Sequence, residues 1–413
     1  MKFTQQRQCL IIAPYILLAL GLFTYWRPQR KVRNQGPVFT SEPHGQHRFD
    51  GSWNYERDRN NLLLTHGQCD QAFPGLFAEI DRVKEARSLH TITAKEIDTA
   101  TSRSGTIRAM LYDQQLYIIT KERTVGLRGM ATLAAINRAV ITSSEPLPNI
   151  EFGLNIDDQI EDVALWGTVR RPEDESIWLI PDFDYSSSDK SSSIKETLLK
   201  VEIAEKEDAL TWENKTNQLL WRGDRRKEPD FRDQLVKLIN GRPWADVKDF
   251  RVEAKGSMEN QNKILPEHCN YKFIAQTEEK SDSGLKHLQM CRSVVVSDKL
   301  DWVQHYYHLL RSSGSQQNFV EVEHDWSDLE EKMEWLLNHD NDAKRIADNS
   351  VKIFRERYLT PAAEVCYWRR LIQEWARVSD FEPELYEEYD GKKSWRGVDV
   401  ERFFLMQSTR WES

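Results

Sequence analysis

The second half of the chain alternates short apolar runs with helical segments, and this pattern limits its fold more than any other feature. The runs "QLLWRG", "ADVKDFRVE", "NYKFIAQ" and "SVVVS" indicate strands, and "EPDFRDQLVKLIN" and "SGLKHLQMC" indicate helices between them. Strands that alternate with helices predict a parallel sheet covered by helices. Ligands of such sheets bind beyond the carboxyl ends of the strands, so we expect binding loops after "QLLW" and "KFIAQ".

The first half also contains both helix-like and strand-like segments, but they alternate less regularly. Helical spacing occurs in "LFAEIDRVKEAR" and "GMATLAAINRAVI", whereas "QLYII", "NIEFGLNI" and "SIWLIPDF" are typical of strands. A chain of 413 residues is too long for one ordinary domain. We therefore expect two α/β domains facing a cleft, over residues 61–215 and 216–380, and a C-terminal tail over residues 381–413.

The N-terminus carries an uncharged apolar run over residues 9–26, after a short tail of residues 1–8. As a helix the run would span about 27 Å, close to the hydrocarbon thickness of a bilayer. We therefore predict a transmembrane anchor, followed by a polar, flexible stem over residues 27–60. A cleaved signal peptide is the alternative. The basic residues that follow the run do not favour a lumenal body by the positive-inside rule, so a cytosolic body also stays open.

Four cysteines lie outside the apolar run, and they are Cys69, Cys269, Cys291 and Cys366. An even number behind an anchor suits two disulfides in the secretory pathway, with three pairings open, although four buried thiols in a cytosolic protein is the alternative. Zinc is disfavoured because the cysteines are scattered and form no C-x2-C pair. The sequon at Asn214 would be usable for glycosylation in a lumenal body.

Charge and missing motifs exclude several function classes. The formal net charge of −9 argues against nucleic acid as a partner, since phosphate backbones need a basic face. The sequence contains no G-x-G-x-x-G, G-x4-G-K-[ST], G-x-S-x-G or H-E-x-x-H motif. These absences disfavour dinucleotide oxidoreductases, P-loop enzymes, typical lipases and zinc proteases.

The segment "LWRGDRRKEPDFRDQL" is the first candidate for chemistry. Gly223 allows close backbone approach after a strand, and a helix N-terminus follows. Planar guanidinium forks suit a diphosphate, and the segment offers four of them, on Arg222, Arg225, Arg226 and Arg232. The alternative is a solvated basic turn.

Two acidic patterns are further candidates. Asp157 and Asp158 come directly after the strand "NIEFGLNI", and a carboxylate at a strand end can act as a general base on a hydroxyl nucleophile. A turn or helix-capping role is the commoner alternative. The D-x-D pairs at Asp182 and Asp340 are weak signals, the second fitting a helix start, so we assign no metal ligands and leave metal dependence open.

Taken together, the segments resemble the capsule-associated and protein O-glucosyltransferase family (family 90 glycosyltransferases), in its fungal type II membrane form. The resemblance covers about residues 68–372, through "QCDQAFPGLFAEIDR", "FGLNIDD", "WLIPDF", "WENKTNQLLWRG", "HCNYKFIAQTE", "SGLKHLQMCRSVVV", "DWVQHYYHLL" and "FRERYLTPAAEVCYWRRLI". It implies a GT-B-like fold of two Rossmann-like domains, with an acceptor-side first domain and a donor-binding second domain. It further implies inverting transfer from a UDP-sugar, glucose or xylose, to a hydroxyl of a glycan or protein, with no permanently bound cofactor.

The resemblance also implies roles for individual residues. The motif "NIDD" maps the catalytic base to Asp158, and "RG…R-D-x-L" maps a donor patch to Arg222, Gly223 and Arg232. The turn before the short helix, with Ser283, Gly284 and Lys286, would lie at the donor. The implied disulfides are Cys269–Cys291 and Cys69–Cys366, which favours a lumenal body in the Golgi or endoplasmic reticulum.

One turn departs from the family pattern. Relatives commonly read like "E-G-x-S-Y-S-G-R-L-K" where this chain reads "EEKSDSGLK", so no arginine stands between Gly284 and Leu285. Loss of one charge-assisted contact typically costs about 1.5–3 kcal/mol of binding. The alternative function is therefore a catalytically degenerate relative that binds a glycan or a protein.

Overall fold

The computed structural model describes residues 49–120, 125–157, 161–182, 203–223, 229–249, 266–277 and 284–407. The predicted anchor over residues 9–26, most of the stem, and the candidate residues Asp158, Arg225 and Ser283 lie outside this part of the chain. No helix within the described ranges is both long and apolar enough to cross a membrane. The described residues belong to one compact unit that begins at Phe49.

The first half builds four helices and then a mixed sheet. The elements in chain order are α1 Tyr55–Asp58, α2 His66–Ala72, α3 Ala78–Ala86, α4 Ala94–Ala100, β1 Thr106–Tyr112, β2 Gln115–Ile118, α5 Gly126–Ile141, β3 Ile150–Asn155, β4 Trp166–Gly167 and β5 Trp178–Leu179. Strand β1 pairs antiparallel with both β2 and β3, whereas β3, β4 and β5 are parallel. The strands predicted at 115–119 and 149–156 and the helix predicted within α5 are confirmed.

The second half begins with a short 3-10 helix, Trp212–Asn214, and builds the predicted parallel sheet. Its elements in chain order are β6 Thr216–Gly223, α6 Pro229–Ile239, β7 Ala245–Asp249, β8 Tyr271–Gln276, α7 Gly284–Leu288, β9 Val294–Asp298, the 3-10 helix Tyr307–Leu309, β10 Val320–Val322, α8 Leu329–Asn338, α9 Asp340–Ile353, a π-helical turn Phe354–Tyr358 and α10 Pro361–Val378. The strand order is β10-β9-β8-β6-β7, and all four pairings are parallel. The carboxyl ends of β6, β8 and β9 therefore meet at one edge, as the alternation predicts.

Helix α10 follows the second sheet in sequence but packs on the first one. Its side chains Trp368 and Trp375 are about 1% exposed or less and belong to the core around Phe152 and Trp166. Trp166 stacks on Phe152 at 4.0 Å between ring centroids and meets Trp375 edge-on at 5.6 Å. The second sheet begins with β6 at Thr216, and helix α10 later returns the chain to the first core.

The segment predicted as a C-terminal tail is also folded onto the first sheet. It contains β11 Tyr386–Tyr389, β12 Lys392–Trp395, β13 Val398–Asp399 and α11 Val400–Met406. Strands β11 and β12 form a separate antiparallel hairpin, and β13 extends the first sheet by pairing with β2. The apolar residues of α11 that join the first core, Val400 and Phe403, explain why this segment is ordered there.

Two disulfides and a short backbone bridge connect distant parts of the chain. Cys69 is bonded to Cys366, and Cys269 is bonded to Cys291, the two pairs implied by the family resemblance. Arg170, after the first sheet's strand β4, exchanges two backbone hydrogen bonds with Val303, at 3.1 and 2.9 Å. The first disulfide thus fixes α10 to α2 within the first core, and the backbone bridge joins a loop of the first half to a loop of the second.

Candidate active site

A polar recess of about 350 Å³ lies where helix α4 turns into strand β1. Of its nine lining residues only Ile119 is apolar. The hydroxyl-bearing members are Thr101, Ser102, Ser104, Thr106 and Thr120. Small-molecule pockets are usually lined by apolar and aromatic side chains, so this lining suits a hydrophilic ligand instead.

The turn at Gly105 places this recess beside the end of strand β3. Gly105 has a φ of +79°, and a Cβ there would lie 2.7 Å from the Cβ of Asp157. Both the backbone conformation and the space therefore require glycine. The backbone N–H of Ile156 donates to the Gly105 carbonyl at 2.9 Å, which ties the turn to the strand end. Asp158, the predicted base, is the next residue after Asp157 and lies outside the described residues.

Arg108 connects the recess to the C-terminal segment. It pairs with Asp98, which also lines the recess, and donates through Nε to the buried carboxylate of Glu151 at 2.5 Å. Arg396, directly after strand β12, donates to both oxygens of the same carboxylate, at 2.8 and 2.9 Å. Because Glu151 is 1% exposed at the side chain, the two guanidiniums supply the hydrogen bonds that its buried charge needs.

Arg222 lies near the end of β6, but its guanidinium is engaged by the neighbouring strand. It donates to Asp246 Oδ2 at 2.8 Å and to the Asp246 carbonyl at 2.9 Å, and the Tyr271 hydroxyl donates to Oδ2 at 2.5 Å. Burial disfavours the charged carboxyl, but the hydrogen bonds from Arg222 and Tyr271 outweigh it and hold the pKa of Asp246 below its ordinary value. A diphosphate would have to compete with Asp246 for Arg222, whose side chain is only 7% exposed.

Gly223 and Arg232 flank the start of helix α6 at the carboxyl edge of the second sheet. A Cβ on Gly223 would lie 2.6 Å from the ring of Trp221, so packing alone accounts for glycine at this position. Arg232 is 4% exposed, and the adjacent Phe231 stacks on His324 at 4.7 Å between ring centroids. The edge thus combines a helix N-terminus with a cation, the environment in which phosphates bind.

Lys286 lies in α7, the short helix that Gly284 begins, and it is 8% exposed. It lines a small cavity of about 20 Å³, roughly the space of one water molecule, together with His305 and Tyr367. Burial first, and then the charges of Lys286 and His308, hold the pKa of His305 well below its ordinary value. His305 is therefore neutral at physiological pH and does not repel the ammonium group of Lys286.

The match to known proteins spans almost the whole described region. Residues 66–408 match the family model described as "Glycosyl transferase family 90". The chain belongs to glycosyltransferase family 90. It is therefore a glycosyltransferase, and both its sheets and the returning C-terminal segment fall within the matched region.

Individual relatives of this family 90 glycosyltransferase are distant. An O-glucosyltransferase rumi homolog of Aedes aegypti is 24% identical over 346 residues, which cover 78% of this chain and 82% of the relative. Protein O-glucosyltransferase 2 of Danio rerio is 26% identical over 66% of this chain and 56% of its own length. Protein O-glucosyltransferase 1 of Homo sapiens is 25% identical over 43% of this chain and 46% of its own length.

In this glycosyltransferase a buried charge cluster holds both ends of the segment closed by the disulfide Cys269–Cys291. Lys215 Nζ donates to Glu207 at 2.6 Å and to the Cys269 carbonyl at 2.5 Å. Glu207 accepts from the backbone N–H of Arg292 at 2.9 Å, on the other side of the bridge. Burial lowers the pKa of Lys215, and the carboxylate of Glu207 only partly offsets this effect. The cluster therefore fixes strand β8 and helix α7, which flank the predicted donor turn.

The same cluster contains potential metal ligands. Within the described ranges one group of potential ligand atoms, from Glu207, Cys269 and Cys291, lies within 4.8 Å. Both sulfurs are already bonded to each other, so they are not thiolate ligands.

Two further residues singled out in the sequence lie near this half of the chain. Asp340, from the second D-x-D pair, begins helix α9 as expected, and its carboxylate accepts a hydrogen bond from Lys272 at 2.6 Å. Asn214 of the sequon is exposed and precedes the buried Lys215.

Sequence reasoning missed the residues that organise both sides of the site. No pattern in the sequence marks Glu207, Lys215 or Glu151 as buried charges, and each is identified by its contacts in the fold. A usable signal existed for Lys215 and Glu151, since each stands at or beside a predicted strand where a charged residue must be paired if it is buried. The partner could not be read from the sequence, because Arg396 lies 245 positions from Glu151.

Proposed function

We propose that the chain is an inverting glycosyltransferase that moves a sugar from a UDP-sugar, glucose or xylose, to a hydroxyl of a protein or glycan. The family match over residues 66–408 supports sugar transfer, and the relatives named protein O-glucosyltransferase support glucose as the sugar and a protein as the acceptor. We also assign the chain a GT-B-like fold of two Rossmann-like domains, in which the acceptor binds on the side of the first sheet and the donor binds at the parallel sheet.

The observation that carries the mechanism is the contact between Gly105 and Asp157 beside the polar recess. Asp158, the next residue, takes the proton of the acceptor hydroxyl as its oxygen bonds to the anomeric carbon of the donor sugar. The bond from that carbon to the diphosphate oxygen breaks on the opposite face, its electrons leave with UDP, and the configuration inverts.

The leaving diphosphate acquires charge during this step, and donors aimed at it lower the barrier. The proposed donor side consists of Arg222, Gly223, Arg225, Arg232, Ser283, Gly284 and Lys286. Of the described cations among them, Arg232 at the start of α6 and Lys286 in α7 lie beside loops that follow strands of the parallel sheet. Arg222 would bind the diphosphate only by giving up its ion pair with Asp246. The proposal makes no assignment of a divalent metal.

The proposed location is the Golgi or endoplasmic reticulum membrane, with a single-pass anchor at residues 9–26 and a lumenal body. Two disulfides support an oxidising compartment, and the exposed Asn214 sequon is available for a glycan. Peptide-N-glycosidase treatment of the protein expressed in secretory cells would test this: a mobility shift that Asn214→Gln abolishes is the expected result. Glycan-free protein with all four cysteines reduced would contradict it.

The alternative function is a degenerate family member that binds a glycan or a protein without transfer. Two observations favour it, the missing arginine beside Gly284 and the commitment of Arg222 to Asp246. Calorimetric titration with UDP and UDP release from UDP-glucose and UDP-xylose separate the two. Binding with release supports the transferase, and the absence of any nucleotide binding by the wild-type protein supports the degenerate function.

A further inference from the structure

We propose that the recess beside Gly105 binds a neutral saccharide unit of the acceptor, either free or carried by a protein. This inference deepens the proposed function and rests on it, because it takes the recess to be the acceptor side of the transfer site. Four features of the described residues carry it: size, hydrogen-bonding direction, charge and position.

The size of the recess fits a small sugar. Its volume is about 350 Å³. This lies at the lower end of the range of small-molecule sites, about 300–1,000 Å³. The recess differs from most such sites in its lining, since Ile119 is the one apolar member. A ligand that depends on aliphatic or aromatic side chains would find Ile119 as the one such residue of the lining.

Three hydroxyls of the lining already donate their hydrogens to backbone carbonyls. Thr101 donates to the Ile97 carbonyl at 2.7 Å, and Ser102 donates to the Thr99 carbonyl at 2.8 Å. Thr106 likewise donates to a backbone carbonyl at 2.7 Å. Each hydroxyl has a single hydrogen and two lone pairs, so these oxygens are left as acceptors. A saccharide presents several O–H donors on one small ring and matches such a wall.

Charge in the recess is balanced. Arg103 is paired with Glu161, and Arg108 is paired with Asp98 and Glu151. Both arginines of the lining therefore already hold a carboxylate, so the recess presents little net positive charge to an anionic ligand. An uncharged saccharide does not depend on such a charge.

The position of the recess connects it to the transfer step. Thr106 is the register partner of Asn155 across strands β1 and β3, so the recess opens at the edge where β3 ends. Asp157 packs on Gly105 at the same edge, and the proposed base follows it in the sequence. A sugar held in the recess would present one of its hydroxyls to that base as the attacking group.

A pair of serines offers a matched test. Ser102 and Ser88 are both exposed, both follow the end of a helix and both donate to the carbonyl three residues earlier, at 2.8 and 2.7 Å. Of the two, Ser102 lines the recess. Ser102→Trp fills it, whereas Ser88→Trp adds the same indole on another part of the surface and controls for folding.

The full chain, purified in mild detergent from a secretory host, would be titrated by saturation-transfer NMR with maltotriose, mannotriose and xylotriose. A glucuronic-acid-containing trisaccharide is the anionic counterpart. A high-mannose glycoprotein, before and after enzymatic removal of its glycans, separates a protein-borne sugar from a free one. UDP release from UDP-glucose is measured on the same samples, so that failure of the proposed transferase is scored separately from failure of the recess.

We expect at least one neutral saccharide to bind, free or as the protein's glycan, at least tenfold more weakly in Ser102→Trp and within twofold of wild type in Ser88→Trp. Three results would overturn the inference: no binding of any neutral saccharide, whether free or as the protein's glycan, equal saccharide binding by Ser102→Trp and wild type, or tighter binding of the anionic trisaccharide. UDP release without saccharide binding would leave the transferase standing and remove the recess from it.

Discussion

Gly105 and Asp157 are packed so closely that a Cβ on Gly105 would lie 2.7 Å from the Cβ of Asp157. This contact fixes the strand end from which the proposed base emerges. Gly105→Ala should therefore displace that end and lower the transfer rate on the order of 10–100-fold, because misplacement of a catalytic group by about 1 Å can cost 10²-fold. Initial rates of UDP release and transfer measure the effect.

Gly241 supplies the control for that substitution. It has the same φ of +79°, but a Cβ there would meet no atom within 4 Å. Gly241→Ala carries the same conformational cost, about 1–2 kcal/mol, without the clash. Equal activity losses in the two variants would show that the Gly105–Asp157 contact has no role in catalysis.

The buried pair Lys215–Glu207 should dominate the stability of the second half. The side chains are 0% and 4% exposed, and Lys215→Met would leave the buried carboxylate of Glu207 with a longer ion pair, to Arg355 at 3.4 Å. Lys215→Met is expected to lower the free energy of unfolding by about 3 kcal/mol in urea titrations. Lys344→Met, which breaks the half-exposed pair with Asp348 on α9, should cost less than about 1 kcal/mol. Similar costs for both would contradict the role of the cluster.

Removal of the two disulfides should have different effects: loss of Cys69–Cys366 should lower stability more, and loss of Cys269–Cys291 should weaken donor binding more. The pair Cys69–Cys366 closes a separation of 297 residues and Cys269–Cys291 one of 22. Loop-closure entropy predicts losses of about 6 and about 3 kcal/mol on removal. The double Ala variant at 269 and 291 should nevertheless raise the KM for the UDP-sugar more, since that bridge closes the segment with the predicted donor turn. A larger KM effect from the 69–366 variant would contradict this assignment.

His305 should make the protein sensitive to mild acid. Its pKa is depressed in the folded state by burial, so below about pH 6.5 the unfolded chain binds a proton that the folded chain resists. The free energy of unfolding should fall as pH drops from 7.5 to 5.5, by up to about 1.4 kcal/mol per pH unit. His305→Phe keeps an aromatic ring beside Tyr306 and Tyr367 and should flatten the dependence. An unchanged slope in this variant would assign the acid sensitivity to other groups.

Local pattern predicted the parallel sheet well, since alternation and periodicity are properties of short segments. Strands β6, β8 and β9 and helix α6 lie where the apolar runs indicate them. The mixed order of the first sheet was harder, because strand β1 pairs antiparallel on both sides and the sheet is extended by β13, which pairs with β2 from about 280 residues away. No local pattern encodes such a long-range pairing.

The positions of the candidate site were predictable from local patterns, whereas the contacts within the site were not. The sequence led to the strand ends at Asp157, Gly223 and Gln276, but not to the partners that decide which cations are available. Arg222 illustrates the limit: its spacing suited a diphosphate, and Asp246 and Tyr271 on neighbouring strands engage it instead. Competition between a ligand and a protein carboxylate depends on tertiary contacts.

The most direct test of the central claim is the rate of sugar transfer by the full chain and by Asp158→Asn, with UDP-glucose and UDP-xylose as donors. Loss of a general base typically costs 10²–10⁴-fold, so transfer should fall at least about 100-fold while UDP binding stays within a fewfold of wild type. Transfer at the wild-type rate by Asp158→Asn would contradict the assignment of the base.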